Sequence, residues 1–417
     1  MYDLTDTTES VAVKAVLIAP DFGEYDVNES LLELKELART AGAECIATLT
    51  QRRNAPDPAT CIGSGALEEA SLAIENLGAE LVIFDCELTG SQTANIERIL
   101  DCKVVDRTML ILDIFAQRAR SAEGRLQVEL AQQKYRLPRL VGKGIALSRL
   151  GGGIGTRGPG ETRLEADKRH IRRRINALEA ELKDVRRRRE LIRNRRKKNE
   201  IQTVAIVGYT NVGKSTLLNK LTDAGVLAED MLFATLDPTA RALSLPSGRT
   251  VMLVDTVGLV RRLPHQLVDA FRSTLEEAAD ADLILNVCDA SSPDAAEQCK
   301  VSESLLKELG AGETPVLTVL NKCDKLDILP AEAGRVCLIS AHTGMGLDNL
   351  LGTIDDMLPS THTRATVLIP YAEGGLLGEL RRTGQVFAEE YRADGVFLDM
   401  LIDNRWFDRT KQYLIRE

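Results

Sequence analysis

The eight residues GYTNVGKS, Gly208 to Ser215, constrain this chain more than any other segment, because they meet the G-x-x-x-x-G-K-[ST] phosphate-loop pattern. Gly208 and Gly213 leave room for successive backbone N–H groups (Tyr209, Thr210, Asn211, Val212) to curl around a β-phosphate. Lys214 reaches the β/γ oxygens as a point charge, the Ser215 hydroxyl suits Mg²⁺, and Thr216 follows in the first turn of a helix whose N-terminus favours anions. The flanks supply the required setting. The apolar, β-branched run QTVAIVG reads as a buried strand, and STLLNKL has helical spacing. A nucleoside triphosphate site follows.

Four more motifs occur downstream in the order a Ras-like P-loop domain requires. TVMLVDTVGL holds D-x-x-G, with Asp255, Thr256, Val257 and Gly258 at a strand end. Asp255 is placed for the Mg²⁺ water shell, and the Gly258 N–H for sensing a γ-phosphate. NKCD (Asn321, Lys322, Cys323, Asp324) follows the strand-like PVLTVL. The Asp324 carboxylate can accept from guanine N1–H and N2–H₂, whereas adenine presents an acceptor at N1, so this residue discriminates by ~10⁴ or more. Ser340, Ala341 and His342, after the strand VCLIS, would close over the base; the histidine departs from the basic residue expected there. In FATLDPT (Phe233, Ala234, Thr235, Leu236, Asp237, Pro238, Thr239) a threonine should cap Mg²⁺, and Thr235 and Thr239 both qualify by chemistry. The five motifs together indicate a guanine-nucleotide domain that takes GTP and GDP.

Hydrolysis is assigned to Lys214, Asn211 and Gly258. The residue after D-x-x-G is Leu259, where Ras-like enzymes carry a water-orienting glutamine. Leucine cannot hydrogen-bond water, so intrinsic turnover is expected to be slow and a partner to supply the acceleration. Asn211 resembles the phosphate-loop asparagine of potassium-activated GTPases, which makes K⁺ a candidate second cofactor beside Mg²⁺.

Around this domain the chain divides unevenly. Its net charge of −9 conceals a basic segment, residues 163–198, with 16 Lys+Arg against 6 Asp+Glu. Ile171, Ile175, Leu178, Leu182, Val185 and Ile192 recur there at four- and three-residue steps, interrupted at Arg189, as a heptad seam on one long helix. The 38 residues from Glu161 to Lys198 would span about 57 Å. The helix-like stretch Met109 to Leu137 is its expected antiparallel partner, with Pro138 to Gly160 as a glycine-rich tip carrying Arg139, Lys143, Arg149 and Arg157. A basic helix and a side-chain-poor loop suit RNA phosphates.

The N-terminal part alternates strand-like runs (VAVKAVLIA, ECIATLT, ELVIFD, CKVVD) with helical stretches near residues 29–40, 65–76 and 89–100, which predicts a small parallel sheet. Gly63-Ser64-Gly65 reads as a helix-entry turn. After a linker at 359–363, TVLIPY, a helix near 373–383, QVFAEEYR and GVFLDMLI predict a small α+β module. Asp394-Gly395 marks its hairpin turn, and Trp406 and Phe407 belong to its core. The expected fold is therefore α/β: an N-terminal α/β domain (1–107), a long antiparallel helical hairpin (108–199), a Ras-like P-loop GTPase domain (200–358) and a small C-terminal α+β domain (364–417).

Eight cysteines without a C-x-x-C pair and four scattered histidines argue for buried free thiols rather than a metal site. No apolar run approaches the ~18 residues of a membrane span, and MYDLTDTTES lacks a basic leader, so a cytoplasmic protein is expected.

FATLDPT, DTVGLVRRLP and the upstream GGGIGTRGPGETRLE (Gly151 to Glu165) resemble the HflX family of ribosome-associated GTPases, over about residues 63–358. The glycine-rich run is the most family-specific of the three. The resemblance implies binding to the large ribosomal subunit and its rRNA through the basic hairpin and glycine-rich loop. It also implies ribosome splitting or rescue under stress, and Thr235 rather than Thr239 as the Mg²⁺ ligand beside Ser215; a monomer is expected, and the missing glutamine at Leu259 makes the ribosome the expected stimulator of hydrolysis.

Overall fold

The computed structural model describes residues 12–148, 159–198, 201–222, 232–233, 239–262, 280–308, 311–312, 314–330, 335–359 and 362–415. It forms two compact units, Met1–Thr353 and Ile354–Glu417.

The first unit opens with a four-stranded parallel sheet of β1 (Val13–Asp21), β2 (Ala43–Arg52), β3 (Leu81–Phe84) and β4 (Lys103–Asp106), in the order β2-β1-β3-β4. Both of its faces are covered, which explains why the strands read as apolar runs rather than alternating ones. Ala15, Leu17 and Ala19 pack under α1 (Val27–Thr40) and α4 (Arg107–Arg118), through Leu34, Leu37, Ile111 and Phe115. Val16 and Ile18 face α2 (Ser64–Leu77) and α3 (Gly90–Leu100), through Leu67, Ala70 and Ile96. The helix starts are chemically fixed. Asp26 accepts from Asn28 N at 2.8 Å, Thr89 and Gln92 form a capping box, and Asp106 accepts from Met109 N at 2.9 Å.

The hairpin departs from the sequence expectation. Met109 to Leu137 is not one helix: α4 ends at Arg118, and α5 (Ala122–Ser148) runs on through Pro138 to meet α6 (Pro159–Lys198). Proline removes one helical hydrogen bond, but tertiary contacts hold the helix at that point. Arg139, expected on an RNA-facing tip, instead donates from Nε to Leu88 O at 3.1 Å and pairs with Asp106 at 3.5 Å. Gly90 lies so close that a Cβ there would be 2.5 Å from Arg139 O. The helices run antiparallel, as Glu123–Arg189 (2.6 Å) and Lys134–Glu179 (2.7 Å) show. Their seam buries Leu130, Ile175, Leu178 and Leu182, with Ile171 packed against them. Lys143, Arg149, Arg157 and the contacts of Ile192 lie outside the described residues and side chains.

The six-stranded sheet that follows has the order β10-β9-β8-β5-β7-β6. Its strands are β5 (Thr203–Gly208), β6 (Thr239–Ser244), β7 (Thr250–Asp255), β8 (Leu283–Asp289), β9 (Val316–Asn321) and β10 (Val336–Leu338), parallel except where β6 meets β7. Helices α7 (Lys214–Thr222), α8 (Ala295–Glu308) and α9 (Leu347–Met357) complete it. Cys288 in β8 and Cys299 in α8 are disulfide-bonded, Cα–Cα 6.1 Å, which corrects the expectation that every thiol is free. The other six cysteines are free. The pair was invisible in sequence because its partners meet only when α8 packs on β8.

The second unit is a three-stranded antiparallel sheet, β11 (His362–Ile369), β12 (Gln385–Arg392) and β13 (Gly395–Asp403), in the order β11-β13-β12, with α10 (Gly374–Thr383) and α11 (Asn404–Thr410). β11 starts inside the expected linker. Arg392 pairs with Gly395 across the hairpin turn, and Trp406 and Phe407 pack against the core, as the sequence indicated. Among the described residues, no helix is long and apolar enough to cross a membrane.

Leu178 is fully buried in the hairpin seam, whereas Arg172 is exposed. Leu178→Ala should therefore destabilise the protein by about 2–5 kcal/mol and Arg172→Ala by less than about 0.5 kcal/mol, measured by urea denaturation followed through helical circular dichroism.

Candidate nucleotide-binding site

The loop between β5 and α7 is gathered around its own lysine. Lys214 is buried and its Nζ donates to Gly208 O at 3.0 Å and Tyr209 O at 2.7 Å. Burial pushes the ammonium down to about 8, partly opposed by the Asp255 carboxylate. Ser215 Oγ donates to Asp255 Oδ2 at 3.0 Å, which brings the phosphate-loop hydroxyl and the D-x-x-G carboxylate together. A hydroxyl and a carboxylate side by side are hard oxygen donors of the type Mg²⁺ takes. Thr256, on the same strand end, is locked by its hydroxyl to Ile206 O at 2.8 Å.

Two glycines are required by space. A Cβ on Gly258 would lie 3.1 Å from Lys214 Nζ and 2.6 Å from Thr210 Cγ2. Gly213, at φ +94°, leaves no room either, since a Cβ would meet Asn321 Nδ2 at 2.4 Å. That Asn321 is a strut between two halves of the site. Its Nδ2 donates to Val212 O at 2.7 Å, and its Oδ1 accepts from Ala341 N at 2.9 Å. Lys322, at φ 63°, donates to Asn211 O at 2.7 Å and pairs with Asp289 at 2.7 Å. Asp324 stands at the surface, its carboxyl held below the usual range chiefly by the Ser340 hydroxyl. Cys323 N bonds Ile339 O, which fixes the turn, and His342 is exposed.

The segment after D-x-x-G is zipped to the phosphate loop. Thr210 N donates to Leu259 O at 2.8 Å and Leu259 N to Gly208 O at 3.1 Å, while the Leu259 side chain is buried. Beyond it the chain enters an ionic network that the sequence did not reveal. Tyr209 Oη donates to Glu33 Oε2 at 2.5 Å and accepts from Arg261 N. Burial and the neighbouring Glu33 charge push its phenol above the ordinary value. Arg261 pairs with Glu29. Arg262 donates to Asp85 Oδ2 at 2.6 Å and stacks 3.7 Å over the Tyr25 ring. The buried Arg107 joins Asp85, at 2.8 Å, to Glu33. Arg262 also reaches Ser30, whose hydroxyl donates to Asp85 Oδ2 at 2.6 Å.

Phe233 is placed against the same domain, its ring edge-on to Phe115 at 4.6 Å, and Leu232 N donates to Thr40 Oγ1 at 3.3 Å. Ala234, Thr235, Leu236 and Asp237 lie outside the described residues. Of the residues missed in sequence, Asp289 had a readable signal, since it ends the apolar run LILNVC. Asp85 had the same signal, ending the run LVIF, whereas Glu33 and Arg107 had none.

Three family models match the chain. Residues 28–116 match a family model described as GTP-binding GTPase N-terminal, residues 118–196 the GTP-binding GTPase Middle Region, and residues 203–322 the 50S ribosome-binding GTPase. GTPase HflX of Caldanaerobacter subterraneus subsp. tengcongensis is 52% identical over 415 residues, covering 100% of this chain and 96% of the relative. GTPase HflX of Escherichia coli is 42% identical over 403 residues, covering 95% and 93%. A GTP-binding protein from the archaeon Sulfolobus solfataricus, solved in complex with GDP, is 27% identical with a TM-score of 0.46, covering 83% of this chain and 98% of that one.

The depressed Lys214 ammonium has a measurable consequence. Phosphate oxygens favour the charged amine, so nucleotide binding takes up a proton in the window between about 8 and the ordinary lysine value. GDP affinity should fall as pH rises through that window, by at most about tenfold per pH unit. Titration calorimetry at pH 8.5 in buffers of different ionisation enthalpy should read uptake approaching one proton, falling away toward pH 7.

Proposed function

The chain belongs to the HflX family of GTPases, and on that premise we propose that it is a GTP-hydrolysing switch that docks on the large ribosomal subunit, splitting or rescuing ribosomes under stress. The observation that carries this reading is the pairing of a guanine-nucleotide site with a long basic helix whose outer face is exposed. Arg186, Arg187 and Arg188 are exposed on α6, while Arg189 turns inward to Glu123. The 50S ribosome-binding description of the matching GTPase model points to the same partner.

In this reading Tyr209 to Lys214 wrap the phosphates, and Lys214 exchanges its two backbone carbonyls for β/γ oxygens. Ser215 and Thr235 would hold Mg²⁺, with Asp255 in support; it would neutralise phosphate charge when bound. The Gly258 N–H meets the γ-phosphate, and Asn321, Asp324, Ser340, Ala341 and His342 surround the base. Leu259 orients no water, so the accelerating group comes from the ribosome, with K⁺ beside Asn211 as a second contributor. Residues 1–107, 108–199, 200–358 and 364–417 serve as the working domains of a cytoplasmic monomer.

Hydrolysis measured with and without purified large subunits, in K⁺ and in Na⁺ salts, tests the switch. We expect stimulation of about 10³-fold or more by subunits, and a further gain in K⁺. Equal rates in all four conditions overturn both assignments. Replacing Arg186, Arg187 and Arg188 with glutamine should weaken subunit binding and lower its log–log salt slope by about 0.7–0.9 for each phosphate left without its arginine, read by cosedimentation across a salt series.

A further inference from the structure

Away from the nucleotide site, two thiols of the N-terminal sheet domain face each other. Cys61 Sγ and Cys86 Sγ lie 3.5 Å apart, brought together from positions 25 residues distant. The approach is built by a small closed loop. Asp57 and Cys61 exchange both backbone hydrogen bonds at 2.9 Å, and the Asp57 carboxylate accepts from the N–H groups of Ala59 (2.8 Å) and Thr60 (3.2 Å). Helix α3 pins that loop through Gln92 Nε2, which donates to Asp57 O at 2.8 Å, and Asn95 Nδ2, which donates to Ala59 O at 3.1 Å. Cys61 sits at φ 65°, a conformation that non-glycine residues seldom adopt and that is held here by the loop's own bonds. Cys86 follows β3 directly after Asp85, the carboxylate that holds Arg107 and Arg262.

We propose that Cys61 and Cys86 are a reversible dithiol–disulfide pair, a redox modification site whose oxidant is a hydroperoxide. Cys61 is buried at 2% exposure and Cys86 is partly exposed, so a small peroxide enters on the Cys86 side. The Cys61 thiol is the more acidic partner, lowered by its hydrogen bond with Cys86 and by the nearby Arg53 guanidinium, while the same pairing and burial raise Cys86. The thiolate of Cys61 attacks the O–O bond and becomes a sulfenic acid. Cys86 sulfur then displaces its hydroxyl to form the S–S bond. In the net step two S–H bonds and one O–O bond break, one S–S bond forms, and hydrogen peroxide leaves as two waters, having taken both electrons. Closing from 3.5 Å to a bonded length near 2.05 Å needs a movement of about 1.5 Å.

Reduced full-length protein is treated with hydrogen peroxide, alkylated, digested and analysed by mass spectrometry. The expected result is a linked peptide joining positions 61 and 86, a loss of two free thiols per chain, and full recovery with dithiothreitol. Cys61→Ser, checked for folding by circular dichroism, should give no such link. Cys86→Ser should stop at a sulfenic acid on Cys61 that dimedone traps. If both thiols are alkylated after peroxide treatment, or if they oxidise separately to sulfinic acids, the pair is not a disulfide site.

Discussion

The carboxylate of Asp85 is the fixed point about which the first unit is arranged. It has no exposed surface, and it accepts from Ser30, Arg107 and Arg262, residues of α1, α4 and the segment after D-x-x-G. Taking such a charge out of water is costly unless it is fully satisfied, and removing one partner from a buried pair costs about 3–5 kcal/mol. Loss of any one of the three donors leaves that carboxylate under-compensated. Arg107, itself buried, carries it on to Glu33, and Glu33 carries it to Tyr209 inside the phosphate loop. A chain of charge-assisted hydrogen bonds thus runs from the C-terminal end of β3 to the loop between β5 and α7.

The apolar packing repeats the same connection by other means. Leu232, Phe233, Val257 and Val260 belong to the core that also contains Leu34, Ile111 and Phe115 of the N-terminal domain. The segment after D-x-x-G is thus held by both charge and burial, and Leu232 and Phe233 by burial.

Much of this was legible in the sequence, for identifiable reasons. Phosphate binding demands a local spacing, so Gly208 to Ser215 and Asp255 to Gly258 could be read without any tertiary knowledge. The buried parallel strands betrayed themselves as apolar runs, and the α6 seam as a heptad. What escaped notice depended on residues far apart in sequence. Glu33 and Tyr209 are separated by 176 positions, and Asp85 and Arg262 by 177, and the spacing of neither pair follows a motif. Pro138 misled because its local preference to end a helix is overridden by the contacts of Arg139 and Gly90. β6 lacks an apolar run, its residues being mostly exposed or half-buried, and only its antiparallel pairing with β7 reveals it.

Asn321 commits both ends of one amide to backbone, one to Val212 in the phosphate loop and the other to Ala341 after β10. Rigid bridging of that kind makes the two halves of the ligand site share a single conformational cost. Whichever fragment binds first, guanosine or pyrophosphate, orders the pocket for the other, so the fragments should attract each other through the protein though they never touch. An intact guanine nucleotide should gain from both at once, and one with another base should lose affinity at its phosphates as well.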